Sequence, residues 1–260
     1  MKLDIFTLCY NEETYIPFVV QYWQKMIDDG IDLHITVYDN HSTDSSVEML
    51  SKYDWIEIRY FESNGHNDIT HQKVKDKAWR ESKASLVMVC DFDEILWSKN
   101  LKEELQKFLD SDCNFLLTRW YAFCGEKEPE YEDGKYLHQL VKRGYKQHFN
   151  HQGQLRNDNF SKFLVFKPKN LTDIQWSVGQ HILFSVTPSL KAYYTDNIVT
   201  FHIDKGLSED YFVNRRKKQG ERLSETNKRY GMAIEYLQPE EKTREEYRKR
   251  LSESVDISEL

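Results

Sequence analysis

The sequence predicts an α/β domain with a mostly parallel central sheet and helices on its faces, and three observations predict it. Apolar segments in the first half alternate between short runs suited to strands and longer ones with helical spacing. Residues 86–91, LVMVCD, hold five apolar residues in six without a helical period, the pattern of a strand buried on both faces. That run ends at Asp91 and Asp93, with Glu94 adjoining. Carboxylates beyond the C-terminal tip of a buried strand lie where open α/β sheets bind ligands.

Residues 3–9 are the first strand. Ile16, Val19, Val20, Trp23, Met26 and Ile27 then recur at helical spacing; Pro17 falls in the first turn, where it is tolerated, and Gly30 stops the helix. Residues 33–38 are a second strand; Val47, Met49, Leu50 and Tyr53 mark a short helix, and residues 56–61 a third strand. A helix over 68–82 turns Ile69, Val74 and Ala78 inward before the strand at 86–91. Ser98 is placed to cap a helix carrying Leu101, Leu105, Phe108 and Leu109. Strand alternating with helix implies right-handed crossovers between parallel strands.

The second half is less regular. Strands are expected at 114–120, 162–166 and 198–202, with a long, polar, His-rich stretch over 124–160 between the first two. Loops of that length inside a domain are commonly functional or mobile. Ser208 is placed to cap a helix running to about residue 234 and carrying Arg215, Arg216, Lys217, Lys218 and Arg222. Residues 237–260 are highly charged and nearly free of core residues, so a loosely attached tail is expected there, after one domain over 1–236.

A net charge of −7 argues against a binder of nucleic-acid backbones, while one bound nucleotide stays open. Cys9, Cys90, Cys113 and Cys124 make no C-x-x-C pair, and the first two end strand patterns. Buried free thiols in a reducing, cytoplasmic compartment are the expectation. The chain opens MKLDIFTLC, already a strand, and has no run of 18 apolar residues. Neither a secretion leader nor a membrane span is expected.

The absent motifs narrow the chemistry. No G-x-G-x-x-G follows the first strand, which disfavours a dinucleotide fold, and neither a P-loop nor a G-x-S-x-G elbow occurs. The first strand ends instead in Cys9, Tyr10, Asn11 and Glu12, the second in Tyr38, Asp39 and Asn40. An Asp at a strand tip either accepts from a base N–H or ribose hydroxyl or simply closes a turn. Three polar tips on one sheet edge favour a site. Hard oxygen ligands at Asp91 and Asp93 suit Mg²⁺ or Mn²⁺ held against a phosphate-bearing substrate. A second Asp-x-Asp, at Asp110 and Asp112, follows a helical pattern and is expected to be a solvated turn.

CYNEETYIPFVVQYW, VYDNHSTDSS, SNG and VMVCDFDE, in this order, resemble the family 2 glycosyltransferases with a GT-A fold. SKFLVFKP, GQH, FHIDK and RRKKQGERLSETN resemble a bacterial branch of that family that builds surface polysaccharide, such as lipopolysaccharide or capsule. The resemblance covers about residues 1–236. It implies a nucleotide-sugar half over about 1–112, an acceptor half over about 113–203 and a C-terminal helix over about 208–236. It further implies a nucleotide-diphosphate sugar donor, a UDP-sugar first, with Mn²⁺ or Mg²⁺ and a glycan or lipid-linked acceptor.

Carried over by residue, the turn Cys9, Asn11, Glu12 together with Asp39 would hold the nucleoside. Asn64, Gly65 and His66 would line the base pocket. Asp91 would reach ribose or metal, Asp93 would ligate the metal, and His202 would complete the metal site unless it is a plain loop histidine. Lys162, Lys205 and Arg215 are candidate diphosphate clamps, because delocalised anionic charge favours Lys and Arg; the alternative for each is a solvated surface charge. The family's usual Glu-Asp base pair is missing from the matching region, so Asp158 and His181 stand as candidates for the base.

Two other functions remain. A nucleotidyltransferase making nucleotide sugars would want a Gly-rich, Lys-containing first loop, which CYNEE is not. A catalytically inactive glycan-binding protein would be expected to lose one Asp of the pair, yet both are present. The basic face of the late helix could hold the protein at the anionic inner face of the membrane or could simply be solvated.

Overall fold

A computed structural model describes residues 1–146, 162–169, 171–204 and 206–260. The expectations placed on Asp158, on Lys205 and on 147–160 of the polar stretch lie outside the described residues.

In the first half, β1 (Lys2–Cys9), α1 (Ile16–Asp28), β2 (Asp32–Asp39), α2 (Ser46–Leu50), β3 (Ile56–Tyr60), α3 (Asp68–Ala78) and β4 (Leu86–Asp91) alternate as expected. After β5 (Glu94–Trp97) come α4 (Leu101–Asp110), β6 (Phe115–Phe123), α5 (Leu137–Val141), β7 (Arg143–Lys146) and β8 (Val165–Phe166). The chain then forms the hairpin of β9 (Asp173–Trp176) and β10 (Leu183–Thr187), followed by β11 (Ala192–His202). It closes with α6 (Glu209–Glu221), α7 (Glu225–Tyr230), α8 (Glu240–Ser252) and β12 (Val255–Asp256).

The strand order β3-β2-β1-β4 is parallel throughout. Beyond it β8 runs antiparallel to both β4 and β6, while β11 runs parallel to β6. Both faces of the sheet are covered. Leu86, Met88 and Cys90 of β4 join the cluster that includes α1 and α4, whereas Val87 and Val89 join a second one with Trp79, Phe166 and Trp176. That double burial is why β4 shows no polar alternation.

Local signals mostly hold. Pro17 sits in the first turn of α1, and Gly30, at φ 79°, donates to the Ile27 carbonyl past its end. Ser208 accepts from the Tyr211 N–H as the cap of α6. Asn100, not Ser98, stands at the cap position of α4. The helix expected to run to residue 234 is broken: α6 ends at Glu221, α7 follows, and a 3-10 turn covers Ile234–Leu237. The polar stretch from 124 includes α5 and β7. Cys9, Cys90 and Cys124 are buried free thiols.

Residues 237–260 depart from the loosely attached tail expected. Tyr247 of α8 is 1% exposed and donates its hydroxyl to the carbonyls of Gly125 and Gly206. Arg216 pairs with Glu246 at 2.6 Å, Arg250 pairs with Asp204, and β12 extends the sheet beside β7. The helix EEKTREEYRKRLS attaches through charge pairs and one tyrosine, so it carries almost no apolar period to read.

Candidate active site

The sheet register aligns the polar strand tips: Cys9 lies beside Asp39, and Leu8 beside Asp91. They border a cleft of about 1000 Å³ between the sheet edge, α3, the turn before β10, and α6. Cys9, Asn11, Glu12, His66, Asp91 and Asp93 reach its wall from the first half. Lys162, His181, His202 and Arg215 reach it from the second. Asp39, Asn64 and Gly65 are not among the residues that line it.

Asp39 is 1% exposed and closes the turn after β2, accepting from the Ser42 N–H at 2.9 Å and the Ser42 hydroxyl at 2.5 Å. Asn11, at φ 54°, donates its N–H to Ser42 Oγ and accepts from the Thr43 N–H. The two turns are therefore knitted into one rim. Asn64 and Gly65 take positive φ and deliver His66 to the segment after α6. The His66 N–H donates to the Arg222 carbonyl at 2.7 Å, and the Ser224 N–H donates back to the His66 carbonyl. A Cβ on Gly65 would lie 2.4 Å from that Arg222 oxygen, so a side chain there would break the approach.

Asp91 is engaged by two lysines, while its side chain stays 37% exposed to the cleft. Its Oδ1 lies 2.7 Å from Lys75 Nζ, and its Oδ2 lies 3.7 Å from Lys162 Nζ. Lys162 also contacts Glu94 at 2.6 Å, and Glu94 accepts from the Asp91 N–H. Burial pushes the Asp91 carboxyl up, yet the Lys75 and Lys162 ammoniums outweigh it and hold it far below its ordinary value. Lys162 is 5% exposed, which removes the solvated-charge reading for it. Burial works against its charge too, but Glu94 and Asp91 raise its pKa.

Asp93 and His202 face each other, Oδ2 to Nε2, at 3.5 Å. The pairing of β5 with β11 brings them together, and the Ile203 N–H donates to the Asp93 carbonyl. His202 packs over Trp120 at 5.2 Å, and its Nδ1 has no hydrogen-bond partner among the described residues. Burial raises the Asp93 pKa and lowers that of His202, but each charge outweighs this, so Asp93 is lowered and His202 raised. A carboxylate oxygen and an imidazole nitrogen converging in a cleft fit a divalent ion. This donor set suits Mn²⁺ better than Mg²⁺, which prefers oxygen throughout.

Arg215 is no solvated charge either. It forms an ion pair with Glu12 and donates to the Tyr15 hydroxyl and the Asn11 carbonyl. Arg216 is spent on Glu246, and Arg222 lies over the Tyr10 ring. Only Lys217 and Lys218 of the basic series are exposed, so the basic face is smaller than expected. His181 stacks over Trp120 at 6.2 Å from the turn before β10. Asp112 is exposed and paired with Lys191, the solvated position expected of the second Asp-x-Asp.

Sequence reading noted Glu94 beside the Asp pair without giving it a role, and missed Lys75 and Trp120. Lys75 did offer a signal, since it lies one turn beyond His71 on a helix with few apolar residues to face the sheet.

The profile described as Glycosyl transferase family 2 matches residues 4–172, more than half of the chain. No curated protein compared with the chain matches it. Among solved structures, residues 1–349 of S. aureus TarS in complex with UDP-GlcNAc are similar at 12% identity and a TM-score of 0.47, covering 91% of this chain and 72% of that one. HddC from Yersinia pseudotuberculosis is similar at 12% identity and a TM-score of 0.39, covering 81% and 96%. Glucosyl-3-phosphoglycerate synthase from Mycobacterium tuberculosis, with Mn²⁺ and UDP-glucose, is similar at 14% identity and a TM-score of 0.34, covering 46% and 43%.

Proposed function

Because this chain belongs to Glycosyl transferase family 2, we propose that it moves a sugar from a nucleotide-diphosphate sugar to a hydroxyl of a glycan or lipid-linked acceptor. UDP-sugars are the first donors to test, and inversion at the anomeric centre is the outcome that the resemblance implies. The observation that carries this reading is the meeting of the Asp93–His202 pair with the Lys75–Asp91–Lys162 cluster in one cleft.

Asp93 and His202 would hold Mn²⁺, which would neutralise charge on the departing diphosphate. Asp91 supports this edge by fixing Lys75 and Lys162 beside the phosphates, and its oxygens can be handed to ribose. The rim of Cys9, Asn11 and Asp39, latched by Glu12 and Arg215, would seat the nucleoside, with Asn64 and Gly65 aiming His66 at the base. The acceptor oxygen attacks the anomeric carbon, the bond to the β-phosphate oxygen breaks, and the acceptor proton goes to a base. His181 in the cleft wall is our candidate for that base, with Asp158 the alternative. No helix of the described residues is long and apolar enough to cross a membrane. Any peripheral contact with anionic lipid would rest on Lys217 and Lys218.

A panel of nucleotide sugars, assayed for release of nucleoside diphosphate with and without Mn²⁺, tests the reading. One donor should be hydrolysed or transferred in a Mn²⁺-dependent way, and Asp93→Ala should abolish that turnover. Absence of both turnover and thermal stabilisation across the panel would overturn it.

A further inference from the structure

His66, Asp68 and His71 meet at the N-terminal end of α3, on the wall of the cleft, and share no ligand with the Asp93–His202 pair. One donor atom from each lies within 4.8 Å of the other two. His66 Nε2 and Asp68 Oδ1 are 3.3 Å apart. Two ligands of one tetrahedral zinc-class ion, each bonded at about 2.0–2.1 Å, stand roughly 3.3 Å apart. The His66 and His71 rings meet edge to face at 5.1 Å.

The three side chains are held from behind. Asn227 is fully buried; its amide donates to Asp68 Oδ2 at 3.0 Å, and its carbonyl accepts from the Asp68 N–H at 3.0 Å. These two hydrogen bonds, one to the carboxylate and one from the backbone, fix Asp68 and leave Oδ1 turned to His66. The main chain of His66 is tied on both sides to residues 222 and 224. His71 packs edge-on against Phe61. Buried outer partners that orient ligands in this way are what metal sites require. Lys75, one turn beyond His71, is occupied with Asp91, which blunts its repulsion of a cation.

We propose that His66, Asp68 and His71 form a second metal site, selective for a divalent transition ion of the zinc class. Two imidazoles and one carboxylate favour such ions over Mg²⁺ or Ca²⁺. Three protein ligands leave a coordination position facing the cleft, where a phosphate or carboxylate oxygen of a ligand can bind. The ion would also lock the Gly65 turn and α3 to the segment 222–227.

Full-length protein stripped with chelator and titrated with Co²⁺ alone tests the site through the ion's visible ligand-field absorption. Zn²⁺ should displace the colour and raise the melting temperature by several degrees. Both signals should survive in Asp93→Ala/His202→Ala, where the first pair no longer contributes, and vanish when His71→Ala is added to that double variant. They should vanish equally when His71→Phe is added instead, which keeps a ring against Phe61, with circular dichroism checking the fold. Co²⁺ absorption unchanged in both folded His71 variants, or lost only with Asp93 and His202, would reduce the cluster to a hydrogen-bonded pair beside a histidine. Because neither readout uses a sugar donor, failure here leaves the transferase reading untouched, and the converse holds.

Discussion

Nε2 of His202 lies 3.5 Å from Oδ2 of Asp93, although the two residues are more than a hundred positions apart in the chain. β11 pairs antiparallel with β5 so that His202 stands opposite Glu94, one residue from Asp93. This pair has a pH signature whose sign is set by its two shifts.

Asp93 raises the His202 pKa above 6.5 against the effect of burial. The stabilisation from the charged ring is therefore complete below pH 6.5 and fades as pH climbs through the folded value. Asp93 is lowered from 3.8, so its share persists above pH 3.8 and is lost on acidification through the folded value. The melting-temperature gap between wild type and His202→Ala should shrink as pH rises through the folded His202 pKa, which lies above 6.5. A metal competes with the ring proton, so Mn²⁺ should stabilise wild type more at about pH 8 than at about pH 6. His202→Ala should weaken Mn²⁺ by roughly tenfold or more. Calorimetric titration against pH checks both, and a pH-independent Mn²⁺ affinity would remove His202 from the site.

Lys162 and Glu94 are 5% and 2% exposed and 2.6 Å apart. Removing one partner of a buried ion pair leaves an uncompensated charge, which costs about 3–5 kcal/mol. Lys162→Met should show that loss in denaturant melts. Lys162→Met/Glu94→Gln should recover part of it, and strictly additive losses would mean that the pair is not coupled.

Arg215 ties α6 to the first strand's turn through Glu12 and Tyr15. Arg215→Gln should destabilise by about 2–3 kcal/mol, since charged hydrogen bonds are lost and Glu12 stays buried. It should also speed amide exchange in residues 10–14 and weaken nucleoside diphosphate binding. Unchanged exchange there would show that the latch does not hold the turn.

Tyr247 carries the attachment of α8. Tyr247→Phe should cost about 1–2 kcal/mol by orphaning the Gly125 carbonyl, while the Gly206 carbonyl keeps the Gly125 N–H. Limited proteolysis should then cut within residues 237–260 faster than in wild type. Equal resistance would mean that Arg216, Arg250 and β12 suffice to hold the segment.

Local periodicity and covalent order carried the features that were legible before folding. The uninterrupted run at 86–91 marked a doubly covered strand, Pro17 and Gly30 bracketed α1, and Ser208 marked the start of α6. The in-register tips ending in Cys9, Asp39 and Asp91 follow from strands whose ends were legible. Tertiary structure alone decided which charges are internal. Asp91 is held by lysines from α3 and from residue 162, and Arg215 by a glutamate 203 positions away. It likewise decided that the charged C-terminal segment is packed. Charge pairs between distant segments leave no period in either one, so a buried lysine and a solvated lysine look alike until the chain folds.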